Sequence, residues 1–146
     1  MPVELGQTHA LSARNDADPT SIKAFVYAYY KAVNDSRWDD VVACFHEDAT
    51  LLVPSQLPKV GHDEIRRFYT YVDVQFPGLH HDDVPLLMVD GNRVMTLVDM
   101  HGINREGVHT RLWTAGFFTL ESGRIRQYRV IFDTAQLQGP TPPGVM

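Results

Sequence analysis

Apolar residues follow a helical spacing in the first half of the chain and alternate with polar residues in the second half. Apolar positions three and four apart share one helix face, whereas alternate positions share one strand face. The predicted helices span 20–34, 38–45 and 61–76. The predicted strands span 49–53, 82–89, 93–103, 108–120 and 124–132. Helices followed by an antiparallel meander predict an α+β fold, with three N-terminal helices packed on one face of a curved sheet.

The length of the chain favours a single domain. It has 146 residues, and one domain commonly takes about 150. Residues 1–18 are polar and lack periodicity, and the segment from 138 onward is rich in proline and glycine, which do not continue a helix or a strand. We therefore predict a flexible arm over 1–18, a folded domain over 19–137 and a flexible tail over 138–146.

Charge and cysteine content restrict the partners and the compartment. Thirteen basic and eighteen acidic residues give a net charge of −5, which disfavours binding to nucleic acid or to anionic membranes. No apolar run reaches the roughly 20 residues of a membrane span, and no signal peptide is visible at the N-terminus. The single cysteine, Cys44, fits a reducing compartment. These features predict a soluble cytoplasmic protein.

The turns between the predicted strands set a register. We place Asp90-Gly91 at the centre of one turn and Arg105-Glu106 at the centre of the next, so Asp99 lies opposite Leu112. Residues directly opposite each other share a face. The predicted inner face carries His80, Asp82, Val84, Leu97, Asp99, His101, Leu112, Thr114, Gly116, Phe118, Tyr128, Val130 and Phe132. The predicted outer face carries Val98, Met100, Trp113, Ala115, Phe117, Arg129 and Ile131.

Both predicted faces carry large apolar side chains, although three helices can cover only one of them. An exposed apolar patch commonly marks an interface. Trp113, Phe117 and Met100 fall on the uncovered face. We therefore expect a homodimer that forms through the outer face of the sheet.

Asp99 and His101 are the candidate catalytic pair, because residues two apart on one strand point to the same side. A carboxylate and an imidazole in one dry pocket can act as a general acid and base. His80, directly opposite His101, would lie within about 5 Å and assist. The alternative is that these side chains meet water at an edge of the sheet. Together with Asp82 they match no recognised metal-ligand spacing, so we predict no metal and no cofactor.

Several short motifs occur in the order and spacing of a known family. The motifs are Tyr29–Asp39, Phe45–Thr50, Gly61–Ile65, Asp90–Asn92, Glu121–Ile125 and Phe132–Asp133. The chain over about 20–137 resembles the SnoaL-like group of the nuclear transport factor 2-like superfamily. The resemblance implies a cone of helices and curved sheet around an apolar pocket. It also implies a hydrophobic polycyclic or aromatic substrate that undergoes dehydration, isomerisation or cyclisation by proton transfer.

Individual members of the superfamily match this chain only in part. Tyr29 resembles the oxyanion-hole tyrosine of ketosteroid isomerase, but the general base of that enzyme falls on Val53. Asp99 resembles one catalytic aspartate of limonene epoxide hydrolase, and His80 and His101 resemble the pocket histidines of scytalone dehydratase. The candidate substrate contacts are Tyr29, Tyr128, Thr114 and Phe118. The alternative to an enzyme is a non-catalytic homodimer of the same fold that binds a hydrophobic ligand or has a structural role.

Overall fold

The computed structural model describes residues 18–138 of the chain. The helices are α1 (Pro19–Asn34), α2 (Trp38–Ala43) and α3 (His62–Gln75). The strands are β1 (Phe45–Leu52), β2 (Lys59–Val60), β3 (His80–Asp90), β4 (Arg93–Ile103), β5 (His109–Glu121) and β6 (Arg124–Ile131), followed by a 3₁₀ turn at Thr134–Gln138. The predicted arm and tail lie outside the described residues, except for their inner ends at 18 and 138. No helix in the described part of the chain is long and apolar enough to cross a membrane.

All six strands join one sheet in the order β2-β1-β6-β5-β4-β3. The meander β3 to β6 is antiparallel as predicted, while β1 runs parallel to β6 and antiparallel to β2. The sheet is therefore mixed, and the α+β class is confirmed. The sequence analysis did not predict β2, because a strand of two residues carries no readable alternation.

Helix α1 supplies much of the core. It begins at Asp18, whose carboxylate accepts a hydrogen bond of 3.1 Å from the backbone N–H of Thr20. This arrangement places Pro19 in the first turn, where its missing N–H costs nothing. The buried residues of the helix are Ile22, Phe25, Val26, Tyr29, Tyr30 and Ala32. Because they pack in one hydrophobic cluster with Val98 of β4, α1 lies over the inner face of the sheet.

The hairpin between β3 and β4 differs from the predicted one near its turn. Asp90 pairs with Arg93, so Gly91 and Asn92 are the two turn residues, and Gly91 has a φ of +60° that favours glycine. Two irregularities further along β3 compensate for this shift. At the far end of the hairpin His80 therefore lies opposite His101, as predicted.

The loop between β4 and β5 overturns the predicted register. Ile103 pairs with His109, so the connection is the five-residue loop 104–108 rather than a two-residue turn. The Asn104 side chain accepts the backbone N–H groups of Glu106 and Val108 at 3.0 and 2.9 Å, and this holds the longer loop. An odd number of loop residues shifts the pairing by one position, and a shift of one exchanges the two faces.

The side of β4 that faces the core is therefore the one that was predicted to face outward. Asp99 lies opposite Trp113, and Met100 lies opposite Leu112. Val98 is fully buried, whereas Leu97 is exposed. The predicted outward orientation of Val98 and Met100 is therefore wrong, and so is the inward orientation of Leu97, Asp99 and His101. The predicted faces of β5 and β6 are confirmed, because Phe118 opposes Tyr128 inside and Phe117 opposes Arg129 outside.

Candidate functional site

A cavity of about 150 Å³ lies between the helices and the inner face of the sheet. Most of its wall is apolar, and both the helices and the strands contribute to it. Val33, Leu51, Phe68, Met100, Leu112 and Val130 contribute to that wall. Its polar side chains include Asn34, His81, Thr114 and three tyrosines, Tyr29, Tyr69 and Tyr128. An apolar cavity with a few convergent polar groups is the usual form of a small-molecule site.

His81 is held in one orientation by Asn34 of α1. The Asn34 amide N–H donates to the backbone carbonyl of His81 at 3.0 Å, and its Oδ1 accepts the backbone N–H of His81 at 2.8 Å. These two bonds fix which end of the amide is oxygen. The same Oδ1 lies 3.1 Å from His81 Nδ1. Because a carbonyl oxygen can only accept, Nδ1 carries the proton and Nε2 carries the lone pair.

The imidazole of His81 is neutral at pH 7. Burial, together with the smaller effect of the neighbouring His80, lowers the pKa of His81 from 6.5 to about 4. The ring packs against Tyr30, with ring centroids 4.9 Å apart. His81 therefore lines the cavity as a neutral imidazole whose Nε2 carries a lone pair.

Tyrosine hydroxyls form the second polar group of the site. The hydroxyls of Tyr29 and Tyr69 are hydrogen-bonded to each other in the interior. Burial raises the pKa of Tyr29, Tyr69 and Tyr128 above the ordinary value. These groups therefore remain protonated at neutral pH, and they can donate hydrogen bonds but carry no charge.

The structure brings three of the predicted substrate contacts to the cavity wall. Tyr29, Tyr128 and Thr114 line it. Phe118 lies behind Tyr128, with ring centroids 4.1 Å apart and an interplanar angle of 5°. Phe118 therefore packs against a residue of the cavity wall and is not itself among the lining residues.

Asp99 and His101 do not reach the cavity. Asp99 accepts two hydrogen bonds from the Arg111 guanidinium on the outer face, at 3.0 and 2.7 Å. This ion pair holds the pKa of Asp99 below its ordinary value. His101 is exposed opposite Arg111. The interpretation of Asp99 and His101 as an inward acid/base pair is wrong, because it depended on the two-residue turn that the loop 104–108 replaces.

The predicted histidine His80 is exposed at the rim of the cavity, and its neighbour His81 lies inside. The sequence analysis missed His81, together with Asn34 and Tyr69. The missing information was which side of β4 faces the core, which we call the phase of β4. His81 lies opposite Met100, so an inward Met100 places His81 inward as well. Among the described side chains, no group of three or more His, Cys, Asp or Glu could hold a metal ion.

These features define a class of α+β domains in which helices and a curved sheet form a cone around an apolar cavity. Residues 26–128 match the model of the SnoaL-like domain, so the chain belongs to the SnoaL-like family. No match to this sequence is found among curated proteins.

Solved structures share this fold. A nuclear transport factor 2-like protein of unknown function from Burkholderia pseudomallei is 22% identical, with a TM-score of 0.73 over 77% of this chain and 90% of that one. A protein assigned as a polyketide cyclase, from Xanthomonas campestris, is 19% identical, with a TM-score of 0.77 over 84% and 96%. A protein with a ketosteroid isomerase-like fold from Catenulispora acidiphila, in complex with trimethylamine, is 16% identical, with a TM-score of 0.72 over 80% and 96%.

Proposed function

We propose that the protein is a cofactor-independent enzyme that moves a proton on a carbon next to the carbonyl group of a small hydrophobic substrate. His81 Nε2 is the general base, and a tyrosine hydroxyl of the cavity donates a hydrogen bond to the carbonyl oxygen. The observation that carries the proposal is the set of three contacts between Asn34 and His81, which gives a neutral histidine a defined tautomer. This histidine lines the same cavity as Tyr29, Tyr69 and Tyr128.

The chemistry follows from these two groups. When Nε2 takes a proton from the carbon next to the carbonyl, the electron pair of the C–H bond moves toward the oxygen and forms an enolate. A hydroxyl donor that faces this oxygen is worth more as negative charge develops, and an apolar wall strengthens the effect. Return of this proton from Nε2 to another carbon of a conjugated enolate gives an isomerisation. Transfer of the proton to a hydroxyl group on the next carbon, which leaves as water while the enolate electrons form the new C=C bond, gives a dehydration.

The size of the cavity narrows the substrate class. An engineered apolar cavity of about 150 Å³ holds one benzene ring, and the cavity here has about the same volume. We therefore propose a substrate built on a single ring instead of the polycyclic compound that the family resemblance implies.

Exchange of hydrogen for deuterium tests this proposal. One-ring ketones such as acetophenone are incubated with the protein in D₂O, and the NMR signal of the protons next to the carbonyl is followed. We expect that signal to decay faster than in buffer or with heat-denatured protein, with saturation by ketone. If the ketones bind but their hydrogen–deuterium exchange is not accelerated, the proposed enzymatic activity would be contradicted. That result would favour the alternative, a non-catalytic ligand-binding protein.

We also propose that two copies pair through the outer face of the sheet. This face exposes Trp113, Phe117, Leu97 and Ile131, which are neighbours on β4, β5 and β6. Met100, which was predicted as part of this interface, points into the cavity instead. Burial of a contiguous apolar patch is a common reason for two copies to associate.

Replacing Phe117 by Glu is expected to dissociate this dimer, because a carboxylate would be buried at the centre of the interface. Sedimentation equilibrium of the wild type is expected to give twice the chain mass at micromolar concentration, and Phe117→Glu the mass of one chain. The matched control is Val74→Glu on α3, where the side chain is 57% exposed on the opposite side of the molecule. A wild type that sediments as a monomer would contradict the proposed interface.

We also propose that the protein is cytoplasmic. The Cys44 thiol is free and buried, and burial raises its pKa to about 12. A thiol in this state is inert toward exchange and oxidation, which is consistent with a structural residue in a reducing compartment.

A further inference from the structure

A carboxylate lies on the rim of the cavity, on the side of α3 that faces the interior. Tyr69, Val72 and Asp73 of α3 all line the cavity, and positions three and four apart share one face of a helix. Tyr69 is buried, Val72 is half-buried and Asp73 is exposed. The lining face of α3 therefore runs from the interior at Tyr69 to the solvent at Asp73.

One helical turn separates the buried end of this face from the carboxylate. Because an α-helix rises about 1.5 Å per residue, Asp73 lies about 6 Å beyond Tyr69 along the helix axis. The cavity of about 150 Å³ accommodates one ring. A short substituent on such a ring, one or two atoms long, can therefore reach from the interior to the rim.

The Asp73 carboxylate forms no salt bridge with any residue in the described part of the chain. Other aspartates differ in this respect, because Asp48 is paired with Arg126 and Asp99 with Arg111. A carboxylate at the rim of a cavity, with no cation of the described chain beside it, is available to a cationic group of a ligand.

The rest of the wall also favours a positive charge over a negative one. Among the described residues that line the cavity there is no Lys or Arg. Trp38, Phe68, Phe76 and Phe132 add aromatic rings to the wall, and the face of an aromatic ring attracts an ammonium group. An ammonium group at the rim keeps water on its outer side, so it avoids most of the cost of burying a charge.

Ser36 has an unusual backbone conformation next to this carboxylate. It follows the end of α1, and its φ of +53° is in the left-handed region. Glycine commonly occupies this position, because a side chain there is strained. The serine instead supplies a hydroxyl whose Oγ lies 3.4 Å from Oδ1 of Asp73, and both residues line the cavity. A polar side chain at a strained position supports a role for this rim in binding.

We propose that Asp73 binds an ammonium group of the substrate, and that the substrate is therefore a one-ring ketone with a short, protonated amine substituent. The inference rests on the proposed function, because both concern the same cavity. It adds the charge of the substrate, and it assigns a binding role to Asp73, a residue that the proton transfer itself does not use.

The test compares two ketones of nearly the same shape. The substituent of 4′-(aminomethyl)acetophenone carries an ammonium group, whereas that of 4′-ethylacetophenone is uncharged. Isothermal titration calorimetry gives the Kd of each ketone for the wild type and for Asp73→Asn, which removes the charge at nearly constant shape. We expect Asp73→Asn to raise the Kd of the amine about two- to fivefold, the usual effect of an exposed ion pair, and to leave that of the ethyl compound within about 1.5-fold.

A ligand of opposite charge is expected to respond in the opposite direction. 4-Acetylbenzoate carries a carboxylate in place of the ammonium group, and Asp73→Asn is expected to lower its Kd because the repulsion between two carboxylates is removed. A purely structural effect of the substitution would weaken the binding of all three ligands, so it would not produce changes of opposite sign.

Asp63→Asn is the matched control, because it makes the same substitution on the same helix. Asp63 is exposed and is not among the residues that line the cavity. We expect this variant to leave all three Kd values as in the wild type. Thermal unfolding of both variants shows that each is folded at the temperature of the titration.

The outcomes separate this inference from the proposed function. Equal effects of Asp73→Asn on the amine and the ethyl compound, equal effects of Asp73→Asn and Asp63→Asn on the amine, or no binding of the amine at millimolar concentration would each overturn the inference. An amine Kd that depends on Asp73, without deuterium exchange of either ketone, would leave the ammonium site intact and contradict the proton transfer. Deuterium exchange together with an amine Kd that does not depend on Asp73 would do the reverse.

Discussion

Replacing His81 by Gln is expected to lower kcat/KM for ketone deuterium exchange by roughly 10²- to 10⁴-fold, the usual contribution of a general base. The amide of glutamine is similar in reach to the imidazole, but it has no nitrogen basic enough to take a proton from carbon. The hydroxyl donors of Tyr29 and Tyr69 would remain, so acetophenone binding should change little. NMR exchange rates at several ketone concentrations separate the effect on kcat from the effect on KM.

His101→Gln is the matched control, because it makes the same substitution on the neighbouring strand but on the outer face. Its exchange rate is expected to stay within about twofold of the wild type, since the side chain does not line the cavity. Full activity in His81→Gln would exclude His81 as the base. A loss in His101→Gln as large as that expected for His81→Gln would contradict the outward placement of His101.

The helices and the four strands of the meander could be predicted because their signals are local. Strand β4 has the predicted bounds, and the observed ends of α1 and α3 lie within one residue of the predicted ones. Periodicity reports which face of an element is apolar, and this face is a property of neighbouring residues. The parallel contact of β1 with β6 could not be predicted in this way, because it joins residues that are 77 to 80 positions apart in the sequence.

The phase of β4 could not be derived from alternation, since both sides of this strand carry apolar residues. Val98 and Met100 on one side look much like Leu97 on the other. Only the loop decides between them, and its length depends on how the Asn104 side chain binds the backbone at Glu106 and Val108. An asparagine followed three residues later by glycine is compatible with such a loop, but it does not exclude a two-residue turn.

The error in the phase of β4 explains which site residues were found and which were missed. Tyr29, Tyr128 and Thr114 belong to α1, β6 and β5, whose inner faces were predicted as observed, and all three line the cavity. Asp99 and His101 belong to β4 and were placed on the wrong side. His81 was passed over for His80 because, on adjacent positions of one strand, only the neighbouring strand shows which histidine points inward.

The burial of a neutral imidazole is expected to make the stability of the protein depend on pH. In the folded state the pKa of His81 is about 4, compared with an ordinary value of 6.5. Between these values the unfolded chain binds a proton that the folded protein does not bind, so the free energy of unfolding falls as the pH falls from 6.5 to 4. Above pH 6.5 this group contributes no pH dependence, and below pH 4 its destabilising effect is complete.

The size of this effect is up to about 3 kcal/mol, since each unit of pKa difference corresponds to roughly 1.4 kcal/mol. Urea unfolding of the wild type and of His81→Gln, measured from pH 4 to pH 8, gives the difference between their stabilities. We expect the free energy of unfolding of the wild type, minus that of His81→Gln, to fall steadily as the pH falls below 6.5. The reason is that glutamine does not titrate, whereas His81 does. His109→Gln, which removes an exposed imidazole, serves as the control and should keep the pH dependence of the wild type. If wild type and His81→Gln lost stability in parallel between pH 6.5 and pH 4, His81 would not be the buried neutral group, and its role as a base would lose its physical support.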